Sequence, residues 1–214
     1  MIWLPVLLTV TRNIGYHSNL SVHEKMKRLD QIVLITTFIG FSWLAMQAAH
    51  ELGHVLGAVA TSGHVTKVVL HPCDLSRTDV QPNPHPLLVV WAGPLAGALL
   101  PLLAYLLAHA LRLPGLYLFR FFAGFCLIAN GVYIGVGSIQ IIADAADMLY
   151  HGSPRWLLIV FALLTAPLGL YLWNGLGPNF GLGRAKGHVT RPAAITSLAL
   201  FALLAGLELI IATK

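Results

Sequence analysis

Five long apolar segments dominate the pattern of hydrophobic and polar positions along the chain. They cover about residues 31–60, 86–111, 115–143, 155–174 and 193–212, and most charged residues lie between them. Each segment is near or above the ~20 residues that a membrane-spanning helix needs. The pattern therefore predicts an all-α integral membrane protein with about five transmembrane helices.

The composition supports the same fold class, because 57% of the residues are hydrophobic and only 10% are charged. A soluble domain cannot bury that much apolar surface, so the lipid bilayer is the expected surrounding. No repeat or charged linker divides the chain. We expect an interfacial or polar N-terminal segment over residues 1–30, a three-helix core over residues 31–150, and two additional transmembrane helices over residues 151–214.

The longest polar stretch, residues 62–86, separates the first two apolar segments. Its hydrophobic residues first alternate at Val65 and Val69 around Lys67, and the stretch then becomes rich in Pro and Asp. This pattern predicts a short strand pair or an irregular loop between the first and second helices.

Gly93 and Pro94 interrupt the second apolar segment. One interpretation is a break in the helix that lines a cavity, because irregular backbone at membrane depth is tolerated only there. The other is a kink at which Gly93 and Gly97 allow close contact between helices.

The formal net charge is +5, with 13 Lys and Arg residues spread along the chain. No single polar element gathers them, so nucleic-acid binding is not expected. If the five predicted spans alternate in direction, nine Lys and Arg residues lie on the side of the N-terminus and four on the opposite side. The larger number is typical of the cytosolic side. We therefore expect a cytosolic N-terminus. The expected location is the cell (inner) membrane.

The HELGH sequence at residues 50–54 lies within the first apolar segment. On a helix, His50 and His54 share one face and can bind one ion, with Glu51 beside them. In a soluble helix the same string is often a solvated polar face. Here the flanking residues are apolar, and ionisable groups are costly at membrane depth. The motif therefore predicts a Zn²⁺ site with a carboxylate able to deprotonate a bound water.

A catalytic zinc ion usually has three protein ligands and a water molecule. Asp144 is the preferred third ligand, because a continuous third helix would place it at the same depth as His50. Asp147 lies one turn further on the same face. It is expected either to replace Asp144 as the ligand or to hold a hydrogen bond behind it. Glu208, near the end of the last segment, is expected to extend to the interface.

The order of three motifs resembles the site-2 protease family of zinc intramembrane metalloproteases. HELGH is in the first core helix, AGPLAG at residues 92–97 is in the second, and Asn130 followed by Asp144 is in the third. The resemblance covers about residues 31–150 and implies a metalloprotease core. It implies His50, His54 and Asp144 as ligands, Glu51 as the general base, and Asn130 as a polar catalytic group near the reacting carbonyl.

The function expected from these residues is zinc-dependent hydrolysis of a peptide bond in or near a transmembrane helix of a membrane protein substrate. The alternative is a non-catalytic membrane zinc protein, either a carrier or a scaffold, because carriers also place His and Asp at membrane depth. Glu51 favours the enzyme, since metal binding alone does not need a carboxylate beside the first histidine.

Overall fold

A computed structural model describes residues 4–185 and 188–212 of the chain, and side chains for residues 26–185 and 188–211. The α-helices are α1 (Leu4–Ala60), α2 (Pro86–Ala110), α3 (Leu116–Gln140), α4 (Ala143–Tyr150), α5 (Arg155–Trp173) and α6 (Arg191–Ala212). The strands are β1 (Val65–Val69) and β2 (Arg77–Val80). Two short 3₁₀ helices, Gly177–Phe180 and Gly183–Ala185, lie between α5 and α6.

Within the described part of the chain, five helices are long and apolar enough to cross a membrane. Their spans are Met26–Ala60, Pro86–Ala110, Leu116–Gln140, Arg155–Trp173 and Arg191–Ile211. Hydropathy predicts such spans because a helix in lipid must satisfy its backbone internally and present apolar side chains outward. The predicted fold class is confirmed, and the protein is a multi-pass membrane protein.

The first helix continues without interruption through residue 30, where the sequence predicts a boundary. The division of the chain at residues 30 and 150 stays a prediction. The interfacial or polar character expected for residues 1–30 also stays a prediction, and residues 1–3 lie outside the described residues.

The polar stretch between α1 and α2 forms an antiparallel hairpin, which confirms the predicted strand pair. Val65 pairs with Val80 and Val69 pairs with Arg77. Beyond the strands, His64 N donates to the Pro82 carbonyl at 3.0 Å. The hairpin is thereby held together at the end nearer α1.

The spanning helices pack in the order α6, α1, α2, α3 and α5. The hydroxyl oxygens of Thr37 and Ser197 lie 2.6 Å apart, and the ring of Phe201 lies against Gly40. The later residue of α1 contacts the later residue of α6, so the two helices run parallel. The three helices α1, α2 and α3 are therefore in the middle of the array, covered on its two sides by α6 and α5.

The third spanning helix ends earlier than the sequence predicts. α3 ends at Gln140, Ile141 adopts a left-handed φ of 58°, and Ala143 a φ of 51°. Asp144 and Asp147 therefore lie on the separate short helix α4. The expectation that they continue the third spanning helix is wrong.

Packing of α4 explains this change of direction. Ala145 and Met148 are buried on one face of α4. They join a hydrophobic cluster with Val90 of α2, Ile134 of α3 and Leu158 of α5. Burial of this face against three helices stabilises α4 where a continuous α3 would leave it in the bilayer.

Glu208 does not extend to the interface as the sequence predicts. Its side chain is buried, with 2% exposure, in α6. Neither carboxylate oxygen has a hydrogen-bond partner among the described residues. Glu208 lies two turns after Phe201, whose ring lies against Gly40, so its side chain is on the face of α6 that packs against α1.

Candidate metal centre

The last turns of α1 carry three buried polar side chains. His50 and His54 are each 7% exposed and Glu51 is 3% exposed. Because residues four apart lie on one helical face, both imidazoles are directed to the same side of α1. Buried polar groups need partners, so the contacts of these three side chains determine what the site can do.

Three donor atoms from α1 and α4 converge at one point. His50 Nε2 lies 3.0 Å from His54 Nε2 and 2.8 Å from Asp144 Oδ2. His54 Nε2 lies 3.4 Å from the same oxygen. Among the described residues, these three form the one group of His, Cys, Asp and Glu side chains that could hold a metal ion.

Asn130 of α3 determines the tautomer of His50. The Asn130 Nδ2 amide donates to the Cys126 carbonyl at 2.9 Å, which leaves Oδ1 as the acceptor for His50 Nδ1 at 2.8 Å. A neutral His50 ring therefore carries its proton on Nδ1 and presents the lone pair of Nε2 toward Asp144.

His54 is held in the same tautomer by α2. Its Nδ1 donates to the Val89 carbonyl oxygen at 2.9 Å. Its Nε2 lone pair is therefore also free to bind a cation. Such hydrogen bonds behind the ligands fix the orientation of the rings and increase their basicity toward a metal.

The small residues of α2 allow this close approach. A Cβ at Gly93 would collide with the His54 ring, and a Cβ at Gly97 would lie 2.7 Å from the Asn130 amide nitrogen. α2 continues unbroken past Pro94. The predicted break in α2 is therefore wrong. The close contact that the alternative expects at Gly93 and Gly97 is present, whereas its kink stays a prediction.

Asp144 supplies an anionic oxygen at the point of convergence. Burial raises the pKa of its carboxyl, but when His50 and His54 also carry protons on Nε2, their hydrogen bonds and charge outweigh burial and lower the pKa well below its ordinary value. The carboxylate is therefore ionised over the physiological pH range. Its position follows from the packing of Ala145 and Met148, which turns Asp144 toward α1.

Glu51 is bonded to the hairpin and not to the three donors. Thr78 Oγ1 of β2 donates to Glu51 Oε2 at 2.7 Å. No described residue donates a hydrogen bond to Glu51 Oε1. One oxygen of the carboxylate is thus fixed, and the other is available to a water molecule or a substrate.

These side chains line an open cavity of about 1280 Å³ bounded by α1, β2, α2, α3 and α4. The cavity wall includes His50, Glu51, His54 and Asp144. This volume exceeds the ~300–1,000 Å³ that is usual for small-molecule sites. It can therefore accommodate several residues of an extended peptide.

The donor set fits zinc. Ligand atoms about 2.1 Å from a tetrahedral zinc ion lie about 3.4 Å from one another, near the separations of 2.8–3.4 Å in this cluster. Two neutral imidazoles and a carboxylate also match the ligand types of zinc, whereas Mg²⁺ and Ca²⁺ prefer six or more oxygens. Three protein ligands leave the fourth position open for water or substrate.

The two remaining predicted site residues occupy different places. Asn130 is 1% exposed, and the bonds to His50 and Cys126 use both ends of its amide. Through these bonds Asn130 orients the His50 ring. Its predicted contact with a reacting carbonyl stays a prediction. Asp147 lines the cavity but does not belong to the group of convergent donors.

Three contacts of the site were not anticipated from the sequence. They are the Thr78 hydroxyl on Glu51, the Val89 carbonyl on His54, and the Tyr133 ring, which lies edge-on to His50 with centroids 5.7 Å apart. Tyr133 lies three residues after Asn130, so helical spacing could have indicated it. Thr78 and Val89 had no such signal, because their contacts depend on the docking of β2 and α2.

Comparison with known proteins matches part of the chain to a peptidase family. A family model described as Peptidase M50B-like matches residues 31–134, which include HELGH, the Gly93-Pro94 pair and Asn130. No curated protein and no solved structure matches the chain significantly. Asp144 lies ten residues beyond the matched segment, and only the structure brings it to the two histidines.

Proposed function

Because the chain belongs to the site-2 protease family of membrane metallopeptidases, we propose that it is a zinc-dependent intramembrane endopeptidase. It hydrolyses a peptide bond in or near a transmembrane helix of a membrane protein substrate, and it acts in the cell (inner) membrane. The observation that carries the proposal is the buried Glu51 carboxylate. It follows His50 directly and lines the same cavity as the three convergent donors.

The residues of the site supply the parts that hydrolysis needs. His50, His54 and Asp144 would hold the zinc ion, which would supply a Lewis acid able to polarise a carbonyl and to acidify a water molecule. Glu51 takes one proton from the attacking water as the water oxygen bonds to the scissile carbonyl carbon. The carboxyl then gives that proton to the amide nitrogen as the C–N bond breaks. The products are a carboxylic acid and an amine.

Substrate access follows from backbone hydrogen bonding. A transmembrane helix hides its carbonyls in internal hydrogen bonds, so a substrate must unwind locally before a carbonyl reaches the site. The cavity is wide enough for an unwound segment, and β2 forms part of its wall. The opened segment lies along this wall in the proposed complex.

Glu51→Gln separates hydrolysis from metal binding, because it keeps the shape of the side chain and removes the base. Wild type and variant are reconstituted in liposomes with a panel of single-span model proteins whose helices contain Gly-Pro breaks. Both should retain about one zinc ion per chain. Cleavage by the variant should fall about 10²–10⁴-fold, the usual contribution of general-base catalysis.

The double variant His50→Ala, His54→Ala is the matched control for metal dependence, and it should lose both zinc and cleavage. Undiminished cleavage by Glu51→Gln would contradict the mechanism. If zinc-loaded wild type cut no member of the panel and the liposomes instead accumulated zinc, the carrier alternative would replace the proposal.

A further inference from the structure

The bond between Thr78 and Glu51 connects the hairpin to the proposed general base. The Thr78 hydroxyl oxygen lies 2.7 Å from Glu51 Oε2, and 27 residues separate the two along the chain. An ionised carboxylate only accepts hydrogen bonds, so the hydroxyl is the donor. Bonds to a charged acceptor are shorter and stronger than neutral ones. This contact therefore restricts the carboxylate more than an ordinary surface bond would.

The two carboxylate oxygens of Glu51 differ in their hydrogen bonds. Oε2 is held by Thr78, whereas Oε1 accepts no bond from the described residues. The side chain is 3% exposed and lines the cavity. A base works only within hydrogen-bond reach of the proton it takes, so a fixed orientation of Oε1 is an advantage for catalysis.

All four residues of β2, Arg77–Val80, line the cavity. A peptide that occupies the cavity therefore contacts the strand that holds Glu51. Through Thr78, the position of β2 is transmitted directly to the carboxylate.

We infer that Thr78 is a positioning residue for Glu51, whose hydroxyl holds the carboxylate in the orientation in which Oε1 accepts the proton. The inference rests on the proposed function, since a general base is needed only for hydrolysis. Thr78 does not touch the ligands or the reacting atoms and acts through Glu51.

Removal of the hydroxyl should leave the hairpin in place. β1 and β2 pair through four residue pairs, and Gly63 N donates to the Ala58 carbonyl of α1 at 2.8 Å. Thr78→Val keeps the β-branched shape that suits a strand and removes only the donor. Thr78→Ser keeps the donor and removes a methyl group. The two variants therefore separate the hydrogen bond from packing.

The first test uses zinc-free protein and does not depend on activity. Amide hydrogen exchange of residues 77–80 is measured in nanodiscs for wild type, Thr78→Val, Thr78→Ser and Glu51→Ala. Loss of the bond should accelerate exchange of this strand about tenfold in Thr78→Val and in Glu51→Ala. The double variant should show little further acceleration, because both changes remove the 2.7 Å bond to Oε2. Glu51→Ala leaves only the 3.5 Å contact of the hydroxyl with the main-chain carbonyl of residue 51. Thr78→Ser should remain close to wild type.

The second test measures cleavage by zinc-loaded protein. Thr78→Val should lower kcat about 10–100-fold with KM and zinc content unchanged, and Thr78→Ser should recover most of the loss. The matched control is Thr36→Val on α1. Among the described residues, its exposed hydroxyl bonds only to the carbonyls of Ile32 and Val33 in its own helix. This control should leave both constants unchanged.

Each outcome has a defined meaning. Wild-type exchange in Thr78→Val, equal kcat in Thr78→Val and wild type, or failure of Thr78→Ser to recover activity would overturn the inference while the proposed function stands. A higher kcat in Thr78→Val would also overturn it, since the bond would then restrain Glu51 in an unproductive position. Zinc-loaded wild type that cleaves nothing would overturn the proposed function and, with it, the catalytic role of Thr78.

Discussion

Gly93 offers the most direct test of how helix packing builds the metal centre. A Cβ added at this position would lie 2.8 Å from His54 Cδ2 and closer still to Nε2 and Cε1 of the same ring. Ordinary carbon contacts are about 3.5–4.0 Å. In Gly93→Ala, the His54 ring must therefore move by about 1 Å, or α2 must withdraw from α1.

The displacement is large compared with what a metal ligand tolerates. Metal–ligand distances vary by only about 0.2 Å in well-formed sites. A shift of about 1 Å therefore removes His54 Nε2 from the point where it meets His50 and Asp144. We expect zinc affinity to fall at least about 100-fold in Gly93→Ala, since even changes behind a ligand cost about 10–100-fold. Competition with a chromophoric chelator in detergent measures this affinity.

Two other glycines provide controls. A Cβ at Gly206 meets nothing within 4 Å, so Gly206→Ala reports the effect of the substitution alone. A Cβ at Gly135 would lie 2.7 Å from Ala162 Cβ at the packing of α3 on α5, so Gly135→Ala reports overpacking away from the metal. Both should keep wild-type zinc affinity. If Gly93→Ala also kept it, the reasoning that close helix packing positions His54 would be refuted.

Two further predictions concern α4. Asp144→Asn should lose zinc. Asp147→Asn should keep zinc affinity within about twofold, because the exposed Asp147 side chain lies outside the group of convergent donors. The same chelator titration measures both variants, and the reverse result would make Asp147 the ligand. Ala143 has a φ of 51°, and this conformation costs an L-residue about 1–2 kcal/mol. Glycine avoids that cost but loses more conformational entropy on folding. Ala143→Gly should therefore stabilise the fold by up to about 1 kcal/mol. Ala146→Gly, within the same helix, should destabilise the fold by about 0.5–1 kcal/mol. Thermal unfolding measures both variants. If both shifted the stability in the same direction, backbone strain at residue 143 would be contradicted.

The spanning helices could be predicted from the sequence because a bilayer imposes length and hydropathy on each segment separately. The boundary between α3 and α4 could not. Turns into the left-handed region are normally marked by Gly or Asn, but here Ile141 and Ala143 adopt it. The burial of Ala145 and Met148 against three helices outweighs this local cost, and that burial is a property of the assembled fold.

The same distinction applies to the site. His50 and His54 are four residues apart on one helix, so their common face follows from local geometry. The contact of Asn130 with an imidazole nitrogen depends instead on how α3 docks against α1. Thr78 was not anticipated for a similar reason, since its hydroxyl meets Glu51 only once the hairpin folds back over α1.

The two imidazoles are held by partners of different chemical kinds, so mutation of the partner residue affects them differently. His54 is held by the main-chain carbonyl of Val89, which any residue supplies as long as α2 stays helical. His50 depends on the side-chain amide of Asn130, which a single replacement removes. During evolutionary drift, residue 89 is free to vary within the limits of packing. Residue 130 has less freedom, because a replacement without a side-chain acceptor leaves His50 Nδ1 without its partner.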